Sequence, residues 1–297
     1  MIIDGKASAA QIRAQLAEQI KARLGAKSKP PGLATVLVGE DPASAVYVRN
    51  KIKACQEVGI STFDHHLATT AQEQELLNVM TGLERDERVH GILVQLPLPP
   101  QINATKVFET MPAAKDVDGF GIANWGRFFQ AKQTKELEGC FVPCTPWGVM
   151  KLLEFAKVSV EGKFACVLGR SNIVGKPMAH LLTLANATVA LCHSKTQNLP
   201  LLLRQADIIV AAMGQAHFLT QDMVREGAVV IDVGINRLAS GKLAGDVDFE
   251  SVSSKAAAIT PVPGGVGPMT IAMLLANTIK AWEKIERLGE EIARLRY

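Results

Sequence analysis

Cysteine is scarce in this sequence and scattered. Cys55, Cys140, Cys144, Cys166 and Cys192 are all there are in 297 residues, and no two form a Cys-x-x-Cys pair. Cys140 and Cys144 have no matching His or Cys partners at zinc-ligand spacing, so no metal site is expected. An odd number of scattered thiols with mostly apolar flanks points to a reducing, cytoplasmic setting. No uninterrupted apolar run reaches 18 residues, which argues against a membrane-spanning helix. The start, Met1-Ile2-Ile3-Asp4-Gly5-Lys6, lacks a basic stretch followed by a long apolar core and does not read as a signal peptide. The net charge is only +3 with no basic cluster, so no nucleic-acid footprint is visible. There is no internal repeat and no low-complexity segment.

What remains is an ordinary globular composition, 48% hydrophobic and 21% charged, long enough for two cores. Apolar periodicity predicts a helix over Ala7–Leu24, with Ile12, Leu16 and Ile20 on one face. A Lys/Pro/Gly linker, 25–32, leads to a β-branched run over Leu33–Val38, read as a buried strand. Helices are expected over Ala43–Val58 and Gln72–Arg85, and strands over Ser61–Leu67 and His90–Leu96. Residues 112–146, rich in Pro, Gly and Asn, read as a crossing to a second domain. Strands follow at Phe164–Leu168, Thr188–Cys192, Asp207–Ala212 and Ala228–Val233, with a helix over Lys176–Leu184 and a final one ending near Arg294. Alternating strands and helices predict an α/β chain of two mostly parallel domains, the second of Rossmann type. The expected division is 1–139 with a returning C-terminal helix, 269–297, and 140–268 for the nucleotide domain.

The densest signal is Thr260–Thr270, which holds Pro261, Pro263, Pro268, Gly264, Gly265 and Gly267. Glycine permits positive φ and close approach to the backbone, and proline holds the shape. The run is either a stiff interdomain turn or a bare-backbone contact surface.

The strand Phe164–Leu168 runs into Gly169-Arg170-Ser171-Asn172-Ile173-Val174-Gly175-Lys176-Pro177 and then a helix. Such a glycine turn can place backbone N–H groups and a helix N-terminus on a pyrophosphate, although it is not the G-x-G-x-x-G fingerprint. NAD-binding units carry an acidic residue after the second strand; this chain has His193-Ser194-Lys195 there. Arg170 and the Ser194 hydroxyl suit a 2′-phosphate, which favours NADP over NAD. His193 fits a satisfied strand-end residue better than a catalytic one.

Tyr47 and Lys51, four apart on a predicted helix, share a face. A tyrosine can stack on a flat substrate while the lysine amine handles a proton, but the same pair also describes a core edge with a solvated lysine. Gln95 ends a predicted strand before a proline-rich turn, where ligands bind in open α/β sheets, or where it could satisfy local backbone. Asp116 and Asp118 flank Val117 ahead of Gly119 and could shape a turn or pair with a heterocycle's N–H edge.

Taken in order, these blocks resemble a known family. Tyr47–Lys51, Gly91–Pro99, Lys115–Phe120, Pro143–Pro146, Gly169–Pro177, Asp232–Asn236, Gly245–Val247 and the 260–270 run are similar to the bifunctional methylenetetrahydrofolate dehydrogenase/methenyltetrahydrofolate cyclohydrolase family, in its bacterial stand-alone form. The resemblance spans nearly the whole chain. It implies oxidation of 5,10-methylenetetrahydrofolate with NADP, followed by hydrolysis of the methenyl product to 10-formyltetrahydrofolate. It implies Lys51 as the catalytic lysine, Tyr47 as the folate-stacking residue, Gln95 as the positioner of Lys51, and Asp118 as the pterin-binding carboxylate. Gly169, Arg170, Ser171, Ser194 and Ile235 fall on cofactor-contact positions. Val94 and Leu96, beside Gln95, and Pro263, Gly264, Gly265, Val266 and Gly267 fall on substrate-contact positions. A homodimer through the nucleotide domain is the family precedent. The residues by themselves also admit a shikimate- or amino-acid-type dehydrogenase, which would share the 169–175 turn without needing Tyr47, Lys51, Gln95 and Asp118. A non-catalytic nucleotide-binding protein and a member with only one of the two activities are further alternatives.

Overall fold

The computed structural model describes residues 1–24 and 29–295; of the expected linker 25–32, residues 25–28 lie outside them, and Gly32 already belongs to the first strand. In chain order the elements are α1 (Gly5–Arg23), β1 (Gly32–Val38), α2 (Pro42–Val58), β2 (Ser61–Leu67), α3 (Glu73–Arg85), β3 (Gly91–Val94), α4 (Ala104–Glu109) and α5 (Ile122–Gln130). After a 3-10 turn at Thr134–Gly139 come α6 (Cys144–Phe155), β4 (Phe164–Leu168), α7 (Gly175–Leu184), β5 (Thr188–Cys192), α8 (Leu199–Leu203), β6 (Ile208–Ala211) and β7 (Val229–Asp232). The chain continues through β8 (Asn236–Arg237), β9 (Leu243–Ala244), α9 (Phe249–Ser253) and β10 (Ala258–Ile259) to α10 (Val266–Leu295). No helix among the described residues is long and apolar enough to cross a membrane.

Two compact units result. One holds Gln11–Gln130, Glu138–Val142 and the chain from Leu274 onward; the other holds Met1–Ala10, Ala131–Leu137 and Pro143–Met273.

In the first unit β1 lies between β2 and β3, and both pairings are parallel. Every residue of β1 is buried, as expected of a strand covered on both faces. β2, at the edge, carries the polar Ser61, Asp64, His65 and His66 instead. α2 starts cleanly because the Asp41 carboxylate accepts from Ser44 N at 2.7 Å and Pro42 has no N–H to lose at the first helical position. It stops at Gly59, whose φ of 91° closes the last turn. α3 buries Leu76, Met80 and Leu83, a 4-then-3 spacing that puts one face on the core with Ala34, Val36 and Ile92.

In the second unit a five-stranded, all-parallel sheet runs β10-β7-β6-β4-β5. Counted within the unit this is the order 2-1-3-4-5 of a doubly wound fold, whose switch point falls between β4 and β6. Cys166, Leu168, Ile209 and Val230 sit in its core. The N-terminal segment extends the β10 side through an Ile2–Ile259 bridge and the Ile3 N to Ile259 O bond of 2.8 Å. All five cysteines are free and buried.

The expected parallel α/β architecture is present. The 112–146 stretch, however, is not a plain crossing: it contains α5, a 3-10 turn and the start of α6. Gly126 and Asn124 weaken the helical signal of α5, but Phe128 is fully buried and Trp125 stacks edge-on with Phe129 at 5.2 Å. In α6, Pro146 falls within the first turn, where a missing N–H is tolerated. The hairpin β8–β9 and the short α4, α8 and α9 carry too few residues to show a period.

Candidate active site

Tyr47 and Lys51 lie on one face of α2, and both are half-buried. Lys51 Nζ donates to Gln95 Oε1 at 3.1 Å. Gln95 follows the last residue of β3, and its own amide is fixed: Nε2 donates to Leu96 O at 2.6 Å, while its backbone N donates to Val36 O at 2.9 Å. With the amide nitrogen committed to Leu96, the amide oxygen must face Lys51. Val94 is buried in β3, and Leu96 precedes Pro97 across a cis peptide bond. One turn beyond Lys51, the buried Cys55 thiol is pushed up to about 12 by burial and by the Asp64 charge, with Lys51 opposing. A thiol held that firmly in its protonated form is no nucleophile, which leaves the amine as the reactive group on this face.

The two aspartates of Lys115–Phe120 separate into distinct roles. Asp116 is buried: its Oδ1 accepts from Gly119 N and Phe120 N, both at 3.1 Å, and its Oδ2 from Gly121 N and Asn124 Nδ2, both at 2.8 Å. Burial still raises its pKa above the ordinary carboxylate value, against those donors. Asp116 therefore builds the turn. Asp118, two residues on and half-buried, is presented by it. From the other side Asn277 on α10 donates to Val117 O at 2.8 Å and to Val142 O at 3.0 Å. Lys115 is buried with Nζ on the carbonyls of Leu83 and Asp86, the C-terminal end of α3, and burial lowers its pKa.

In the other unit the turn after β4 has the form a pyrophosphate needs. Gly169 has φ 113°, and a Cβ there would be driven into the Ala212 carbonyl. A Cβ on Gly175 would meet the Gly169 carbonyl. The two glycines thus form a bare cradle at the head of α7. Ser171 Oγ accepts from Val174 N at 3.2 Å and Gly175 N at 3.3 Å, holding that cradle shut from within. Arg170 and Ser171 are exposed within this turn; Ser194, shortly after β5, and Ile235, shortly after β7, are exposed as well, Ile235 at 42% despite its apolar side chain. His193 is bound locally, with Nδ1 accepting from Lys195 N at 3.1 Å. Bare backbone, a helix start and a guanidinium fit an anionic dinucleotide. In the 260–270 run, Gly264 has φ 111°, the Val262–Pro263 bond is cis, and α10 begins already at Val266.

Sequence reasoning missed two buried carboxylates in this unit, Asp232 and Asp246. Asp232 is pushed up to about 6, chiefly by burial, while backbone N–H groups of Val247, Asp246 and Gly234 pull the other way. The signal was present as Asp232-Val233-Gly234 and Gly245-Asp246: each carboxylate fills the space where the other pair's glycine would carry a Cβ.

A doubly wound dinucleotide sheet with a bare glycine turn, in a chain that also carries an amine held by a fixed amide, defines the class: a two-domain, dinucleotide-linked α/β enzyme. Comparison with known proteins narrows it. Residues 3–118 match the catalytic-domain model of the tetrahydrofolate dehydrogenase/cyclohydrolases, and residues 143–286 match their NAD(P)-binding domain model. The chain is 55% identical over 280 residues, 94% of its length and 98% of the relative's, to the bifunctional protein FolD of Moorella thermoacetica. The crystal structure of the bifunctional FolD methylenetetrahydrofolate dehydrogenase/cyclohydrolase of Campylobacter jejuni superposes with a TM-score of 0.91 at 51% identity, covering 96% of this chain and 99% of that one. The Trypanosoma brucei enzyme, solved with NADP and an inhibitor, gives 0.90 at 36% identity over 96% and 97%. The chain belongs to the tetrahydrofolate dehydrogenase/cyclohydrolase family.

Proposed function

We infer that this chain oxidises 5,10-methylenetetrahydrofolate and then hydrolyses the methenyl product to 10-formyltetrahydrofolate, with NADP as cofactor. The observation that carries the reading is the Lys51–Gln95 hydrogen bond, an amine aimed by a locked amide on a family-matched catalytic unit. NADP, when bound, takes the hydride that leaves the methylene carbon. The chain's own residues bind and align for that step. The Gly169–Gly175 turn and the head of α7 hold the pyrophosphate, Arg170 and Ser194 hold the 2′-phosphate, and Ser171 and Ile235 complete the cofactor contacts.

Lys51 serves the hydrolytic step. Its amine orients the attacking water and moves the proton at Nζ, while Gln95 Oε1 keeps the amine in place. Tyr47 stacks on the folate ring, and the Asp118 carboxylate accepts from the pterin N–H edge. Val94, Leu96, Gln95 and the loop Pro263–Gly267 supply further substrate contacts. The folate domain is the expected 1–139 with 269–297 and the nucleotide domain 140–268, except that Met1–Ala10, Ala131–Leu137 and residues 269–273 group with the nucleotide unit and Glu138–Val142 with the folate unit. The working form is a cytoplasmic homodimer.

The test is one assay with two readouts. With methylenetetrahydrofolate and NADP, purified protein is expected to form NADPH, and added methenyltetrahydrofolate is expected to decay faster than in buffer. NADPH formation without methenyl decay would identify a monofunctional dehydrogenase, and neither signal would sink the reading. Size-exclusion chromatography with light scattering tests the dimer.

A further inference from the structure

The C-terminal edge of the five-stranded sheet is built beyond what a glycine turn requires. Asp246 is 0% exposed. Its Oδ2 accepts from Met213 N at 2.5 Å and Gly214 N at 3.0 Å; its Oδ1 accepts from Gln215 N at 2.8 Å and Asn236 Nδ2 at 2.9 Å. Three successive backbone N–H groups converging on one anion make a nest, and here the chain fills the nest itself. Asp232 extends the network. Its Oδ1 accepts from Gly234 N at 3.0 Å and Asp246 N at 2.9 Å, its Oδ2 accepts from Val247 N at 2.9 Å, and its own N–H donates to Thr260 Oγ1 at 2.7 Å. Asp232 thus fixes the backbone of Asp246, and Asp246 fixes the segments that follow β6 and β7.

The segment after β6 stands at the switch point, where doubly wound sheets bind their ligands between diverging strands, and the segment after β7 backs it from the next strand over. The loop after β4 and the loop after β6 face each other there, since Gly169 abuts the Ala212 carbonyl. Neither aspartate is exposed, so neither carboxylate reaches a bound molecule; both act through backbone.

We propose that Asp246 is a positioning residue for the dinucleotide: through Met213–Gln215 and Asn236 it sets the second wall of the cofactor crevice, and Asp232 holds it in register. The proposal rests on the NADP reading above.

The decisive variant is Asp246→Asn. An amide in either orientation turns its NH2 toward two N–H donors, so one pair loses its acceptor. The Kd for NADP, measured by calorimetry, is expected to rise about tenfold, the low end of what one charge-assisted hydrogen bond contributes. The KM for NADP should rise in step, while the KM for methylenetetrahydrofolate moves less than about twofold. Asn236→Ala removes one donor and spares the three N–H bonds, so it should raise the NADP Kd by a smaller factor, about threefold. Thermal melts report whether each variant folds, and Asn236→Ala carries the test if Asp246→Asn does not. Folded variants with an NADP Kd within about twofold of the parent overturn the proposal, as does an equal rise in both KM values. Failure of the parent to turn over folate would instead sink the functional reading and leave the calorimetric comparison intact.

Discussion

The two units prepare their chemistry in opposite ways. In the three-stranded unit the working groups are side chains. Tyr47 and Lys51 are displayed four apart on α2, Gln95 is anchored at the end of β3, and Asp118 is lifted by the turn that Asp116 builds. In the five-stranded unit the working surface is mostly backbone, bare at Gly169 and Gly175, with the neighbouring loop after β6 held by Asp246 and Asp246 in turn by Asp232. Buried carboxylates serve as scaffold in both, but one presents a side chain and the other presents amides. Moving a proton calls for a specific functional group. Holding a long anion calls for many aligned dipoles, which the main chain supplies without side-chain entropy.

The comparison breaks most readily at Lys51. Methionine there keeps the apolar stem and removes the N–H that Gln95 accepts. Methenyl hydrolysis should fall roughly 10²–10⁴-fold, the usual worth of a positioned acid–base group, and hydride transfer should fall by much less. Equal losses in the two assays would mean that the side-chain unit aligns substrate and moves no proton.

Gly169→Ala attacks the other unit at its barest point. The residue would adopt a left-handed φ and drive its methyl into the Ala212 carbonyl. Strain and displacement together should cost about 3 kcal/mol in denaturant unfolding, with NADP affinity lost as well. A variant as stable as the parent would show that the cradle is slack.

The scaffold carboxylates sharpen the contrast through pH. Asp232 has a folded pKa near 6 against an ordinary 3.8, so the native state holds this proton more tightly than the unfolded chain does. Its stabilising contribution is complete below the unfolded value and is lost as pH rises through about 6. Roughly two pKa units correspond to about 3 kcal/mol. In Asp232→Asn that step is absent, so the stability of the parent relative to the variant should decline between pH 4 and pH 6 in thermal melts. A pH-independent difference would remove burial as the dominant influence on this carboxylate.

The smallest effect is expected at Arg170. Replacing it with alanine should lower the preference for NADP over NAD about tenfold in initial-rate assays, the scale of one exposed charge-assisted bond. An unchanged ratio would move the discrimination to Ser194 and the backbone around it.

This contrast also explains what the sequence revealed. Strands covered on both faces, such as Leu33–Val38 and Phe164–Leu168, announce themselves as apolar runs, and the side-chain site shows as spacing on elements so defined. The backbone site shows only as glycines, whose reason lies in what occupies the space beside them. Asp232 and Asp246 stay hidden because a buried carboxylate satisfied by main-chain N–H groups leaves no periodic trace. α5 was lost to its own glycine and asparagine, although Asn124 is there to bind Asp116 and not to end a helix.

Gly234 and Gly245 carry a consequence for how this chain can change over generations. Each leaves room for the carboxylate of the other segment: Asp246 lies where a side chain on Gly234 would go, and Asp232 where one on Gly245 would go. Neither glycine can gain so much as a methyl unless its opposing aspartate shortens, and neither aspartate can shorten without stranding several amides. The four positions are therefore interlocked, and single steps that add a side chain to either glycine or shorten either aspartate are closed. Drift in this unit has to proceed around the quartet, with paired exchanges as its way in.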